Sequence, residues 1–169
     1  MNEQQIKTFL DGLRPELPAV AIDLALGSML HVQEFIEIAG KENQFLASIA
    51  FTKGGKKSVI ATQFLIKERG KDKDAFADIL ADLRRDCDAV CFYCEAWLSK
   101  PMKKDYESGN FLPPSEDPDR TECAIAQLYV KDRTIAFQAN IQRDPGRLED
   151  WQMMIDTAIE GQTMEGRFA

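Results

Sequence analysis

The sequence predicts an α+β domain in which a single five-stranded antiparallel sheet is flanked by helices. Two segments have the pattern of β-hairpins around short polar turns, and one segment carries a clear helical stripe. Of the 169 residues, 44% are hydrophobic, which is enough to bury a core. The predicted order is two helices, two strands, a helix, three strands and a helix. We expect one domain over residues 1–161 and a loose tail over 162–169.

Two helices open the chain. The first is predicted to end near Arg14 and buries four residues at helical spacing, namely Ile6, Phe9, Leu10 and Leu13. The apolar residues from Ala19 to Ala39 predict a second helix closed by Gly40. The apolar residues between Leu30 and Ile38 fit a strand equally well, so that alternative stays open.

A hairpin and a third helix follow. Two apolar runs within Phe45–Ile66 flank Gly54 and Gly55, a pair that supplies the positive φ values of a tight turn. The next helix has Asp72 or Asp74 as its N-cap. Its apolar stripe consists of Phe76, Ile79, Leu80 and Leu83.

Three strands and a last helix complete the prediction. Asp88–Leu98 has the composition of a strand that is buried on both faces, and a long Pro-rich connection spans 99–120. Glu122–Val130 and Thr134–Gln142 form a second hairpin. A final helix is predicted to stop at Gly161 and to bury Leu148, Trp151, Ile155 and Ala158. This order of elements resembles that of the profilin-like, roadblock and GAF folds.

Charge and composition exclude some classes of function. The formal net charge of −7 argues against a general nucleic-acid binder, because phosphate neutralisation needs a basic surface. We expect no stretch that is long and apolar enough to span a membrane, and no secretory signal. With four cysteines and no export signal expected, free thiols in a reducing cytoplasm are favoured over disulfides. No cofactor is expected.

The cysteine spacing is the sharpest motif. Cys87, Cys91 and Cys94 have the spacing of the cluster-binding triad in radical S-adenosylmethionine enzymes. Side chains alternate along a strand, however, so Cys91 and Cys94 are expected on opposite faces of the sheet. Buried thiols that fill gaps are therefore favoured, and a metal site completed by Cys123 is the alternative.

A second group of candidates surrounds Glu95, a carboxylate within an otherwise apolar strand. A buried carboxylate needs a partner, and we expect Arg120 in the following loop to supply it. Together with Asp117, Asp119 and Glu122, Glu95 could gather around a divalent ion, since hard cations prefer carboxylate oxygens. The alternative is that Asp117 and Asp119 cap a turn around Pro118. His31, the single histidine, is expected on a helix surface or half-buried rather than in a catalytic site.

Two short motifs carry a resemblance. Phe92-Tyr93-Cys94-Glu95-Ala96-Trp97 ends a strand in Glu-Ala-Trp, and residues 115–122 contain Ser-x-x-Pro-x-Arg-x-Glu. The combination resembles uncharacterised small proteins of phage, prophage and bacterial genomes. The resemblance covers the C-terminal half of the domain, and it implies a genomic setting without an activity.

Three functions fit these observations. The first is a non-catalytic cytoplasmic accessory or interaction domain that self-associates, because a strand with two apolar faces needs cover on both. Charge is segregated, since residues 105–122 carry six acids against Arg120 and residues 53–73 carry seven bases against two acids. This pattern fits complementarity between protomers or with a charged partner, but two solvated loops that confer solubility are favoured. The second is a divalent-metal-dependent enzyme that uses the carboxylates around Glu95. The third is a small-molecule sensor, which requires a pocket beside the sheet.

Overall fold

A computed structural model of the chain describes residues 1–13, 17–39, 45, 47–61, 73–98, 117–144 and 146–158. The described part contains three helices, which are α1 (Glu3–Asp11), α2 (Ala19–Ala39) and α3 (Lys73–Asp86). Its seven strands are β1 (Ser48–Lys53), β2 (Lys56–Ala61), β3 (Ala89–Leu98), β4 (Thr121–Val130), β5 (Arg133–Arg143), β6 (Gly146–Leu148) and β7 (Gln152–Asp156). The predicted α+β class is thereby confirmed.

All seven strands belong to one antiparallel, curled sheet. The strand order is β2-β1-β3-β4-β5-β6, and β7 also pairs with β5. Strands β6 and β7 share one edge of β5, with β6 opposite Ile141–Arg143 and β7 opposite Ile135–Gln138. The sequence therefore predicted five of these seven strands.

The predicted C-terminal helix is wrong, because β6 and β7 occupy that segment. Leu148 and Trp151 are buried as predicted, but they reach the core from a strand and from the connection that follows it. The edge of β5 offers backbone N–H and C=O groups that need partners, and residues 146–156 supply them. Tertiary pairing thus overrides a helical spacing that four apolar residues suggested. The predicted stop at Gly161 and the tail lie outside the described residues.

Both hairpins form as predicted. Gly54 and Gly55 adopt φ values of 57° and 76° between β1 and β2, where L-residues with a side chain would be strained. The second turn joins β4 to β5, and Lys131 adopts a φ of 51° there. The predicted alternation along β5 is also seen, since Ile135, Phe137, Ala139 and Ile141 are all buried.

Helix α2 covers one face of the sheet, so the strand alternative for residues 30–38 is wrong. Its buried side chains pack with those of β3, β4 and β5 in the larger core cluster. Over Ala19–Ile38 the helix has the length and mean hydropathy, 1.3, of a membrane span, so the expectation that no stretch reaches these values is wrong. In the structure this apolar segment lies against the sheet, and 44% of it is buried there. The predicted cap at Gly40 lies outside the described residues.

The other two helices complete the packing. Helix α1 begins at a capping box in which Asn2 and Gln5 bond reciprocally, and it ends before the predicted Arg14, at Asp11. Helix α3 covers the opposite face of β3, where Leu80 packs with Val90, Phe92 and Tyr129. Because α2 and α3 cover β3 from opposite sides, residues 89–93 are buried on both faces inside the protein, whereas Trp97 farther along the strand is partly exposed. Because α3 begins at Lys73, Asp74 lies inside the helix and is not its N-cap. The other predicted N-cap, Asp72, and most of the 99–120 connection lie outside the described residues.

Candidate functional site

A cavity of about 250 Å³ opens beside the C-terminal half of β3. Among the described residues it is lined by Phe45, Glu95, Ala96, Trp97 and Glu122. Trp97 of β3 lies directly opposite Glu122 of β4, and Glu95 precedes Trp97 by two residues. These three side chains therefore share the face of the sheet that α2 covers, because residues two apart on a strand point the same way.

Glu95 has a different partner from the one that the sequence predicted. Its Oε2 accepts a hydrogen bond from Nη2 of Arg143 at 2.7 Å, and its Oε1 accepts one from the backbone N–H of Phe45 at 2.8 Å. The Glu95 side chain is 8% exposed, so the expectation of a buried, paired carboxylate is confirmed while the choice of Arg120 is wrong. Arg143 ends β5, two strands away from β3, and only the sheet order brings it there.

Arg143 also holds Glu122, so one guanidinium joins two carboxylates. Its Nε lies 3.0 Å from Oε2 of Glu122, and its Nη2 bonds Oε1 of the same residue. This bidentate geometry is the strong form of an Arg–carboxylate pair. The hydrogen bonds to Glu122 raise the pKa of Arg143, and those to Glu95 add to the effect. We call Glu95, Glu122 and Arg143 the carboxylate–arginine triad; it carries a formal charge of −1.

Arg120 lies over an aromatic ring instead. Its guanidinium carbon is 4.0 Å from the centroid of the Trp97 ring, a distance typical of a cation–π contact. The Trp97 side chain remains partly open to solvent, with the residue 38% exposed. The chain thus places a cation of its own on the tryptophan that lines the cavity.

A group of aromatic rings supports the cavity wall at Phe45. The Phe45 ring centroid lies 5.2 Å from that of Phe35, 5.4 Å from that of His31 and 5.6 Å from that of Tyr93. The single histidine is an exposed residue of α2, as predicted, and its Nδ1 is 3.2 Å from the Tyr93 hydroxyl. Burial raises the pKa of Tyr93 to about 12, which keeps the phenol protonated at neutral pH.

Asp117 and Asp119 form the predicted turn. The backbone N–H of Asp119 donates to Oδ1 of Asp117 at 2.8 Å, which is the bond of an Asx turn. Of the predicted carboxylates, the structure joins Glu95 and Glu122 through Arg143. In the described ranges, no group of three or more His, Cys, Asp or Glu side chains could hold a metal ion.

The four cysteines are free and mostly enclosed. Cys91 belongs to the core beneath α2, whereas Cys87 and Cys94 pack against the cluster beneath α3, so the predicted placement of Cys91 and Cys94 on opposite faces is confirmed. Burial raises the pKa of Cys91 and of Cys94 to about 12, and that of Cys123 to about 11. Protonated thiols are poor nucleophiles and poor metal ligands.

Two contributors to the site, Phe45 and Arg143, are missing from the sequence prediction. Arg143 lies one residue beyond the predicted end of its strand, and it continues the inward alternation of Ala139 and Ile141. Extending that alternation by one step would have placed a cation on the inward face at the end of this strand. Phe45 precedes β1, and the sequence offers no signal for the bond from its amide.

Comparison with protein-family models, with curated proteins and with solved structures finds no match to this chain. The resemblance to small proteins of phage and prophage genomes therefore stays a prediction.

Proposed function

We propose that this protein is a non-catalytic binding domain whose ligand site is the cavity between Phe45, Glu95, Trp97 and Glu122. The observation that carries the proposal is the combination of aromatic walls with two carboxylates held in fixed positions. Binding sites are typically concave, mostly apolar and equipped with a few oriented polar groups. This proposal favours the small-molecule sensor among the predicted functions, since that function requires a pocket beside the sheet.

The bonds within the triad support pre-organisation of the site. Arg143 and the Phe45 amide orient both oxygens of Glu95, so the carboxylate does not have to be ordered when a ligand arrives. Ligand binding then costs less conformational entropy. Each carboxylate oxygen can accept a second hydrogen bond, which leaves capacity for a ligand that donates.

The same bonds favour binding over metal-dependent catalysis. A divalent ion between Glu95 and Glu122 would have to displace the guanidinium that links them. Burial of the cysteine thiols likewise disfavours a thiolate nucleophile. The metal-dependent enzyme therefore remains the weaker proposal.

Self-association and a cytoplasmic location stay predictions. The apolar faces of the first half of β3 no longer require a second subunit, because α2 and α3 cover them. Light scattering at high protein concentration tests self-association directly. A strict monomer would leave the proposed binding function unaffected.

The binding function is tested by a fragment screen read by NMR on the isotopically labelled protein. We expect the amide shifts caused by binding fragments to cluster at Phe45, Glu95, Trp97 and Glu122. A Trp97→Phe variant serves as a second readout, because it removes the exposed indole while keeping an aromatic ring. The proposal would be contradicted if no fragment changed the chemical shifts of these amides, or if the shift changes clustered elsewhere.

A further inference from the structure

We infer that the cavity takes the end of a small monovalent organic cation, an alkylguanidinium or alkylammonium group. The inference rests on the proposed binding function and adds the chemical class of the ligand.

The charge of the triad is the first argument. Two carboxylates face one guanidinium, and the Glu95 and Glu122 side chains are only 8% and 25% exposed. Partial burial weakens solvent screening, so the remaining negative charge acts strongly on a group inside the cavity. An anion meets both carboxylates and is repelled, whereas a cation is attracted and competes with Arg120, whose positive charge lies over the Trp97 ring.

The aromatic walls are the second argument. The face of an aromatic ring is negative and attracts cations, and tryptophan does so most strongly. Arg120 demonstrates this attraction within the chain, since its guanidinium lies 4.0 Å from the centroid of the Trp97 ring. Carboxylates and ring faces thus favour the same sign of charge on the ligand.

The size of the cavity limits the ligand. Its volume of about 250 Å³ is below the range of about 300–1,000 Å³ that holds drug-sized ligands. A small cation, or the cationic end of a longer molecule, fits this limit.

The experiment uses matched probes on the full chain, with n-butylguanidinium, n-butylurea and butyrate titrated by calorimetry and NMR. The urea keeps the shape of the guanidinium without its charge. We expect the guanidinium to bind about tenfold or more tightly than the urea, butyrate not to bind, and binding to weaken as salt is added. Urea binding equal to that of guanidinium, or binding of butyrate, would overturn the inference.

Two variants locate the effect. Glu122→Gln removes one charge of the triad, and we expect it to weaken guanidinium binding about tenfold. Glu149→Gln removes the same net charge at an exposed site that bonds Asn140 and Gln142, on the other face of β5, and we expect it to leave binding unchanged. Equal loss in both variants would overturn the inference. Even if Glu122→Gln fails to fold, the comparison of n-butylguanidinium with n-butylurea on the wild-type protein tests whether the ligand must be a cation.

Two further outcomes distinguish failure of this inference from failure of the proposed binding function. If n-butylurea shifts the amide NMR signals of Phe45 and Trp97 as strongly as n-butylguanidinium does, the binding site is supported and the inference of a cationic ligand fails. If no probe or fragment shifts these signals, the proposed binding function fails as well. N-acetyl-arginine methylamide distinguishes the source of the cation: tighter binding than n-butylguanidinium identifies a peptide side chain, and weaker binding a free small molecule.

Discussion

Arg143 at the end of β5 bonds Glu95 in β3, across an intervening strand and 48 residues along the chain. The same guanidinium bonds Glu122 on that intervening strand, so three adjacent strands are tied together at one end of the sheet. The cavity opens beside this tie, and its two carboxylates are held there by one residue. Stability and the proposed ligand binding at this end of the sheet therefore depend on the same side chain.

Replacing Arg143 tests this dependence. We expect Arg143→Ala to lower the free energy of unfolding by about 3 kcal/mol, because it leaves the buried Glu95 carboxylate without its cation. Arg120→Ala is the matched control, and its loss should stay within about 1 kcal/mol, the value of an exposed cation–π contact. Urea denaturation followed by circular dichroism measures both. A larger loss in Arg120→Ala than in Arg143→Ala would contradict the observed pairing.

The Arg133–Asp156 pair predicts a pH dependence of stability. Hydrogen bonding from Arg133, whose Nε lies 2.9 Å from Oδ1, lowers the pKa of the buried Asp156 below its usual range. A lowered pKa in the folded state contributes stability above the pKa of the unfolded state, about 3.9, and this contribution disappears as the pH falls through the folded value.

We therefore expect Asp156→Asn to destabilise the protein most near neutral pH. The difference in unfolding free energy from wild type should shrink as the pH falls below the unfolded-state pKa and through the lower folded-state pKa of Asp156, where the carboxylate becomes protonated. Asp82→Asn is the control, since Asp82 pairs with Arg85 on the surface of α3, where screening keeps the effect small. A difference that stays constant across this pH range would count against the assignment.

Gly27 of α2 offers a stabilising substitution. A Cβ at this position would meet Nζ of Lys57, which is the far end of a flexible side chain and can move aside. Alanine is the better helix former, so we expect Gly27→Ala to raise the free energy of unfolding by about 0.5–1 kcal/mol. Gly55→Ala should do the reverse, because the φ of 76° strains any residue with a Cβ. Thermal denaturation compares the two, and a destabilising Gly27→Ala would show that Lys57 is held in place.

Divalent cations should leave the melting temperature unchanged. A metal that binds the native state must raise the midpoint, and Arg143 occupies the position between Glu95 and Glu122 where such an ion would bind. The test is a thermal-shift series with Mg²⁺, Mn²⁺, Ca²⁺ and Zn²⁺. A rise in wild type that is absent in the Glu122→Gln variant would make the metal-dependent enzyme the leading proposal.

The structural features that could be predicted are those that depend on residues close together in the sequence. The turn at Gly54 and Gly55 needs positive φ values, which glycine adopts at no steric cost, and the structure has them there. The apolar stripe around Leu80 likewise matched α3. For Glu95 the sequence supported burial and the need for a cation. It did not support a choice between Arg120, which lies just before β4, and Arg143, which ends β5. The alternation of side chains along a strand does not say which strands are neighbours.

The C-terminal segment shows the same division. Apolar residues at Leu148, Trp151 and Ile155 were compatible with one side of a helix, and local spacing alone favoured it. The segment forms strands instead, because the backbone groups at the edge of β5 pair with β6 and β7. The sequence by itself determined the α+β class, the two hairpins and a carboxylate in a buried strand. Only the tertiary structure decided how the last strands pair and which arginine reaches that carboxylate, because strand order and register bring together residues far apart in the chain.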